Sequence, residues 1–208
     1  MNNTINLDPN LLLLLVGCLY ILVFGVLSFL RREGLSLQFA LETIVVTALV
    51  LGLSWLAKIS IHPILFLLLL YLITMRSRLL VDVANLLAER SKYKAAFGLY
   101  RLGLAWWPDT SARLIVLTNR GAAELFSDQA ETAIQTLEGV LAIENRPRLG
   151  LKYEAACRYN LGQAYGKKGD RPKAVHQLNE VIDLMPGSRY AQAARATLKR
   201  WKEAVTED

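Results

Sequence analysis

The chain has 208 residues and a formal net charge of +6, with 53% of its residues hydrophobic, more than a typical soluble domain carries. That excess is uneven: nearly all the long Leu, Ile, Val and Phe runs fall between residues 11 and 75. The first 75 residues hold three basic residues, Arg31, Arg32 and Lys58, against Asp8, Glu33 and Glu42, so the whole +6 lies beyond them. So modest a charge does not single out nucleic acid, and beside so apolar a segment it fits an anionic lipid surface or a solvated domain. The two cysteines, Cys18 and Cys157, lie in different segments and suggest no disulfide framework.

In chain order, residues 1–10 read as a short extracytoplasmic N-terminus, followed by a membrane region over 11–75. The run 11–30 carries no charge and is long enough to cross ~30 Å of hydrocarbon at ~1.5 Å per residue. It ends in Leu30-Arg31-Arg32 and lacks the basic start and small-residue cleavage site of a signal peptide, so it is expected to be a retained anchor. A second span is expected over 38–57 and a third, shorter one over 59–75, with Lys58 and His62-Pro63 between them. Proline is tolerated in the first helical turn, so Pro63 marks the start of the third span. Two spans with the same exit would place Arg31 and Arg32 outside. Three spans put Arg31, Arg32, Arg76 and Arg78 on the cytoplasmic side and leave the N-terminus outside. A prokaryotic inner membrane is the expected location. Glu42 falls just inside the cytoplasmic end of span two, where an interfacial or helix-N-terminal role is the first reading and a transport or partner-binding role the second. His62 reads as a turn residue.

Beyond residue 76 apolar residues recur at helical spacing, and Gly, Pro, Asp and Asn fall at the breaks, so the whole chain is expected to be all-α. Over 155–188 stand Leu161-Gly162, Tyr165, Gly169, Ala174, Leu178, Val181-Ile182 and Pro186. This unit resembles the tetratricopeptide repeat, whose ~34-residue helix pair asks for Leu-Gly and Tyr, a turn Gly, Ala with a large apolar residue, and a closing Pro. Only the opening aromatic is displaced, Arg158 standing where Trp is usual, with Tyr159 beside it. A weaker copy over 114–147 keeps Gly121, Ala133, Leu137, Val140 and Leu141 but has Arg120, Glu124 and Asn145 at family positions for Leu, Tyr and Pro. Residues 148–154 look like an insertion lengthening the next helix. A further copy over 77–110 matches through Tyr93, Ala96, Tyr100, Leu104 and Pro108, its first helix, 79–90, running on almost directly from span three. The closing positions 108, 145 and 186 lie 37 and 41 residues apart, so the array is irregular. Residues 189–208 place Ala194, Leu198, Trp201 and Val205 on one helical face, as the capping helix and tail of an α-solenoid.

The resemblance implies a concave groove lined by the first helix of each pair and open to a peptide or helix of a protein partner. Carried over by position, the candidates are Asn85, Glu89, Thr118, Phe126, Tyr159, Gln163 and Lys167, with Val81, Ala122 and Leu125 beside them. Leu125 and Phe126 read equally well as core between repeats. One family variant grips a chaperone's terminal carboxylate with Lys, Asn and Arg. Here Val81, Asn85, Ala122, Tyr159 and Gln163 occupy those places, only Asn85 matches, and chaperone-tail binding is not expected. Arg76, Arg78, Arg90, Lys92 and Lys94 follow the membrane closely and suit an anionic leaflet, although topology alone accounts for Arg76 and Arg78. Trp106-Trp107, before Pro108, suits a headgroup region or a partner. The sequence offers no catalytic constellation, no metal-ligand spacing, no phosphate-binding loop and no cofactor motif. The expected function is a non-enzymatic membrane-anchored scaffold or adaptor, one that assembles or organises a membrane protein complex. The alternatives are an accessory subunit bound through its spans, or a transporter component.

Overall fold

The structure is a computed structural model that describes residues 8–30, 36–143 and 150–206, with side chains to 204. Arg31 and Arg32, the closing Asn145 and the side chain of Val205 lie outside the described residues. Among the described residues the chain forms ten helices and no strand.

The first two are α1 (Pro9–Leu30) and α2 (Leu37–Ala57), of 22 and 21 residues. Both are long and apolar enough to cross a membrane, and their large side chains, Leu22 and Leu49 among them, point outward. At ~1.5 Å per residue each spans about the ~30 Å of a hydrocarbon core. Ser36 caps α2 through its hydroxyl, which accepts the Phe39 N–H. The two helices approach closely at small residues, where a Cβ on Gly17 would lie 2.8 Å from Thr47 Oγ1, and near the other end the Tyr20 and Phe24 rings meet Phe39. Thr43 and Thr47 satisfy their hydroxyls on carbonyls four residues back, as polar groups in an apolar bundle must.

α3 (Pro63–Thr74) has only 12 residues, so the run expected over 59–75 is helical for about 18 Å of its path. Pro63 opens it, and His62 caps it by accepting the Ile64 N–H. α4 (Arg76–Glu89) follows after Met75 alone, three residues earlier than the sequence suggests, and is bent from α3 by 72°. Together α3 and α4 are long enough to count as one broken span, which makes two or three membrane crossings by length and composition.

Three helical hairpins follow: α4 with α5 (Tyr93–Ala105), α6 (Thr110–Phe126) with α7 (Ala130–Leu141), and α8 (Leu151–Lys167) with α9 (Arg171–Leu184). α4, α6, α8 and finally α10 (Arg189–Thr206) touch in sequence, so the hairpins stack side by side. The same packing device recurs in two of them. A Cβ on Gly121 would lie 2.6 Å from the Leu137 side chain, and one on Gly162 would lie 3.0 Å from Leu178. Each pair places a glycine of the first helix under a fully buried leucine of the second, with Ala133 or Ala174 also fully buried. Side-chain volume is traded for close helix approach, a condition of dense packing. Gly169, at φ 83, makes the tight turn between α8 and α9. At the far end Trp201 of α10 lies against Gly166 and under the Arg171 guanidinium, covering the last hairpin.

Candidate functional site

Two features stand out where the membrane helices meet the hairpins. The first is a polar knot. Glu42 accepts two N–H bonds from Arg76, Nη1 to Oε2 at 2.6 Å and Nη2 to Oε1 at 2.9 Å, and a third from Gln38 Nε2 at 2.9 Å. Arg76 also donates to the carbonyls of Ile73, Trp106 and Trp107 at 2.7, 3.0 and 2.9 Å, and Gln38 donates to Trp107 O at 2.8 Å. Ser77 adds a bond to Gly103 O at 3.2 Å. Arg76 therefore ties the first turns of α2, the break at Met75 and the α5–α6 loop into one joint. A planar guanidinium with five N–H groups can serve a carboxylate and several carbonyls at once, where a lysine could not. Glu42 has its counter-ion 34 residues away in sequence. Topology and lipid alone do not describe Arg76, because its charge is already engaged.

The second feature is a concavity of about 1270 Å³ along the first helices of the hairpins. Asn85 and Glu89 of α4, Thr118 and Phe126 of α6, and Tyr159 of α8 all line it, as do Arg78 and Trp107. Phe24 and Leu27 near the end of α1 and Ser36 at the start of α2 close it at the end nearest the long apolar helices. Gln163 and Lys167 do not line it. Gln163 bonds Thr197 of α10 at 3.1 Å, and Lys167 pairs with Asp128 at 2.7 Å. The Lys167 ammonium holds the Asp128 carboxyl below its ordinary range. Lys92 and Lys94 are exposed at the α4–α5 turn.

Along α4 and α6 the concavity is ordered by an amide ladder. Tyr100 donates to Asn85 Oδ1 at 2.6 Å, Asn85 donates to Asn119 Oδ1 at 3.0 Å, and Asn119 donates back to Ile115 O at 2.8 Å. Burial pushes the Tyr100 hydroxyl up to about 12, so it remains a donor throughout the physiological range. Thr118 is 2% exposed, and its hydroxyl has no hydrogen-bond partner among the described residues. Phe126, 67% exposed, contrasts with its neighbour Leu125, which is core. Position in the repeat could not reveal Asn119, Tyr153 and Tyr190, which also line the groove. Tyr159 and Tyr190 are in ring contact at 5.9 Å.

Comparison with protein-family models, curated proteins and solved structures finds no match.

Proposed function

We propose that the chain is a membrane-anchored adaptor whose tetratricopeptide-like helix pairs hold a segment of a partner protein on the cytoplasmic face of a membrane, with no enzymatic activity of its own. The observation that carries the proposal is the single groove into which α4, α6 and α8 bring Asn85, Glu89, Thr118, Phe126 and Tyr159. Amide and hydroxyl groups on one stretch and an exposed ring on another suit an extended or helical segment, which needs hydrogen bonds along its path and a place to bury an apolar side chain.

Two regularities support the repeat reading. Asn85 bonds Asn119 and Gln163 bonds Thr197, and each pair is 34 residues apart, the period of the family's unit. The Gly121–Leu137 and Gly162–Leu178 contacts also repeat the same packing in consecutive pairs. On this reading α10 stands where the first helix of a further unit would, and caps the stack. The ends of α1 and α2 wall the groove, so its occupant sits beside the bilayer. That favours the juxtamembrane segment of another membrane protein, in keeping with assembly or organisation of a membrane complex. The setting is an inner membrane of prokaryotic type, entered with the N-terminus outside.

Site-specific photo-crosslinking of the full chain in its own membrane tests this. A photoreactive side chain at Phe126 or Tyr159 is expected to trap the same polypeptide, while one at Val175 on α9 or Leu22 on α1 traps none. Trapping from Leu22 but not from the groove would replace the adaptor with an accessory subunit, or a transporter component, held through its spans.

A further inference from the structure

The Trp106–Trp107 loop carries the most exposed aromatic residue beyond the spans, Trp107 at 85%, next to Trp106 at 52%. Its position is nevertheless fixed. Trp107 O accepts N–H groups from both Gln38 and Arg76, and Trp106 O accepts the Arg76 Nε–H. Trp107 is held at φ 44, in the left-handed region that a bulky side chain rarely adopts. Such a conformation persists only where surrounding bonds impose it.

The bonds also set a depth. Gln38 is the second residue of α2, whose 21 residues span about the thickness of a hydrocarbon core. The Trp107 carbonyl is therefore level with one edge of that core. Trp55, 75% exposed, stands near the other end of the same helix. With α3 set along the membrane normal, α4, bent from it by 72°, runs close to the membrane plane as the re-entrant arm of the pair. Its Val83 and Leu86 are 51% and 47% exposed on one helical stripe, which turns at Leu79 into the end of the groove that Phe24 and Leu27 of α1 close. An apolar stripe on an in-plane helix, beside two exposed indoles at the hydrocarbon edge, is the chemistry of an interfacial contact.

We infer that the Trp106–Trp107 loop is a second membrane contact, with its indoles lodged in the headgroup layer of the leaflet from which α4 emerges. The spans anchor the chain, and this foot fixes the tilt of the hairpins against the bilayer. An indole suits the place because its ring is apolar and its N–H reaches carbonyl and phosphate oxygens at the boundary.

Depth-dependent fluorescence quenching in phosphatidylcholine vesicles tests it. The full chain is prepared with Trp107 as its single tryptophan through W55F, W106F and W201F, and in parallel with Trp55 or Trp201 alone. Lipids brominated near the headgroup end of the chain are expected to remove about half of the Trp107 emission, and lipids brominated near the chain terminus far less, as for an interfacial indole. Trp55 should be quenched in the same pattern and Trp201 not at all. Quenched Trp55 with unquenched Trp107 overturns the inference. If neither is quenched, the inference falls together with the membrane-spanning reading. Should W201F disturb folding, the protein carrying only W55F and W106F gives the same test, because Trp201 stays beyond the reach of either lipid and any quenching then reports Trp107.

Discussion

Breaking the Glu42–Arg76 joint should loosen more than one ion pair. The side chains of Arg76 and Glu42 are 20% and 25% exposed, between a free surface pair and a dry one. A solvated pair contributes about 0–1 kcal/mol, whereas removing one partner of a buried pair costs about 3–5 kcal/mol. Arg76→Met keeps most of the aliphatic stem but removes donors from one carboxylate and from the carbonyls of Ile73, Trp106 and Trp107. It should cost about 3 kcal/mol, since charge-assisted hydrogen bonds carry about 1.5–3 kcal/mol each but these groups retain some access to water. Glu42→Gln leaves Arg76 its carbonyls and should cost about 2 kcal/mol. The double variant should lose little more than Arg76→Met alone, giving a coupling of about 1.5 kcal/mol. Equilibrium unfolding in mixed micelles, with helicity followed as a denaturing detergent is added, measures all three. Effects that add to within about 0.5 kcal/mol would show that the two residues do not act together, and the joint would have to be abandoned.

Two further predictions concern the hairpins. Gly121→Ala should destabilise by about 1 kcal/mol despite Ala's better helix propensity, because its Cβ meets a fully buried Leu137 at 2.6 Å. Gly139→Ala, on the facing helix with nothing within 4 Å, should stabilise by up to about 1 kcal/mol. Thermal unfolding that gave both changes the same sign would contradict the packing. The Tyr100 hydroxyl, raised by burial to about 12 from an ordinary 10.0, keeps its proton in the folded state after the unfolded chain has lost it. Stability is therefore fully present below pH ~10 and falls as pH rises toward ~12, by roughly 2–3 kcal/mol for this group. Tyr165, also pushed up to about 12, first by burial and then by the Glu138 carboxylate that accepts its hydroxyl, acts in the same direction, more weakly because solvent screens it. Tyr100→Phe should remove the larger part of the alkaline loss in a pH series of unfolding curves, and an unchanged slope would refute the assignment.

The helices long and apolar enough to cross a membrane were readable in sequence because their signal is local. A run of Leu and Val that is long enough and free of charge needs no tertiary knowledge, and the end of α2 at Ala57 and the start of α3 at Pro63 sit at Lys58 and His62-Pro63. The helix pairs were readable where small and large residues recur in fixed order, as at Gly162, Ala174 and Leu178. The joint was not. The partner of Glu42 is 34 residues away, and three of the five Arg76 bonds go to carbonyls, which leave no trace in the residue type. The 72° bend at Met75 has no Pro or Gly to announce it, and arises where the apolar helix gives way to one packed on α5 and α6. Groove candidates taken by position alone also miss how neighbours use a side chain. Gln163 is engaged by Thr197 and Lys167 by Asp128, while Asn119 enters the amide ladder through Asn85.

The most direct measurement for the whole account is which side of the membrane the groove occupies. Single cysteines at Lys199 on α10 and at Asn10 near the start of α1, in a chain with Cys18 and Cys157 replaced by Ser and Ala, can be challenged with a membrane-impermeant maleimide on intact cells. Labelling is expected at position 10 from outside, and at position 199 only after the membrane is opened. Labelling of position 199 on intact cells would place the groove outside, and the adaptor reading would fall with its topology.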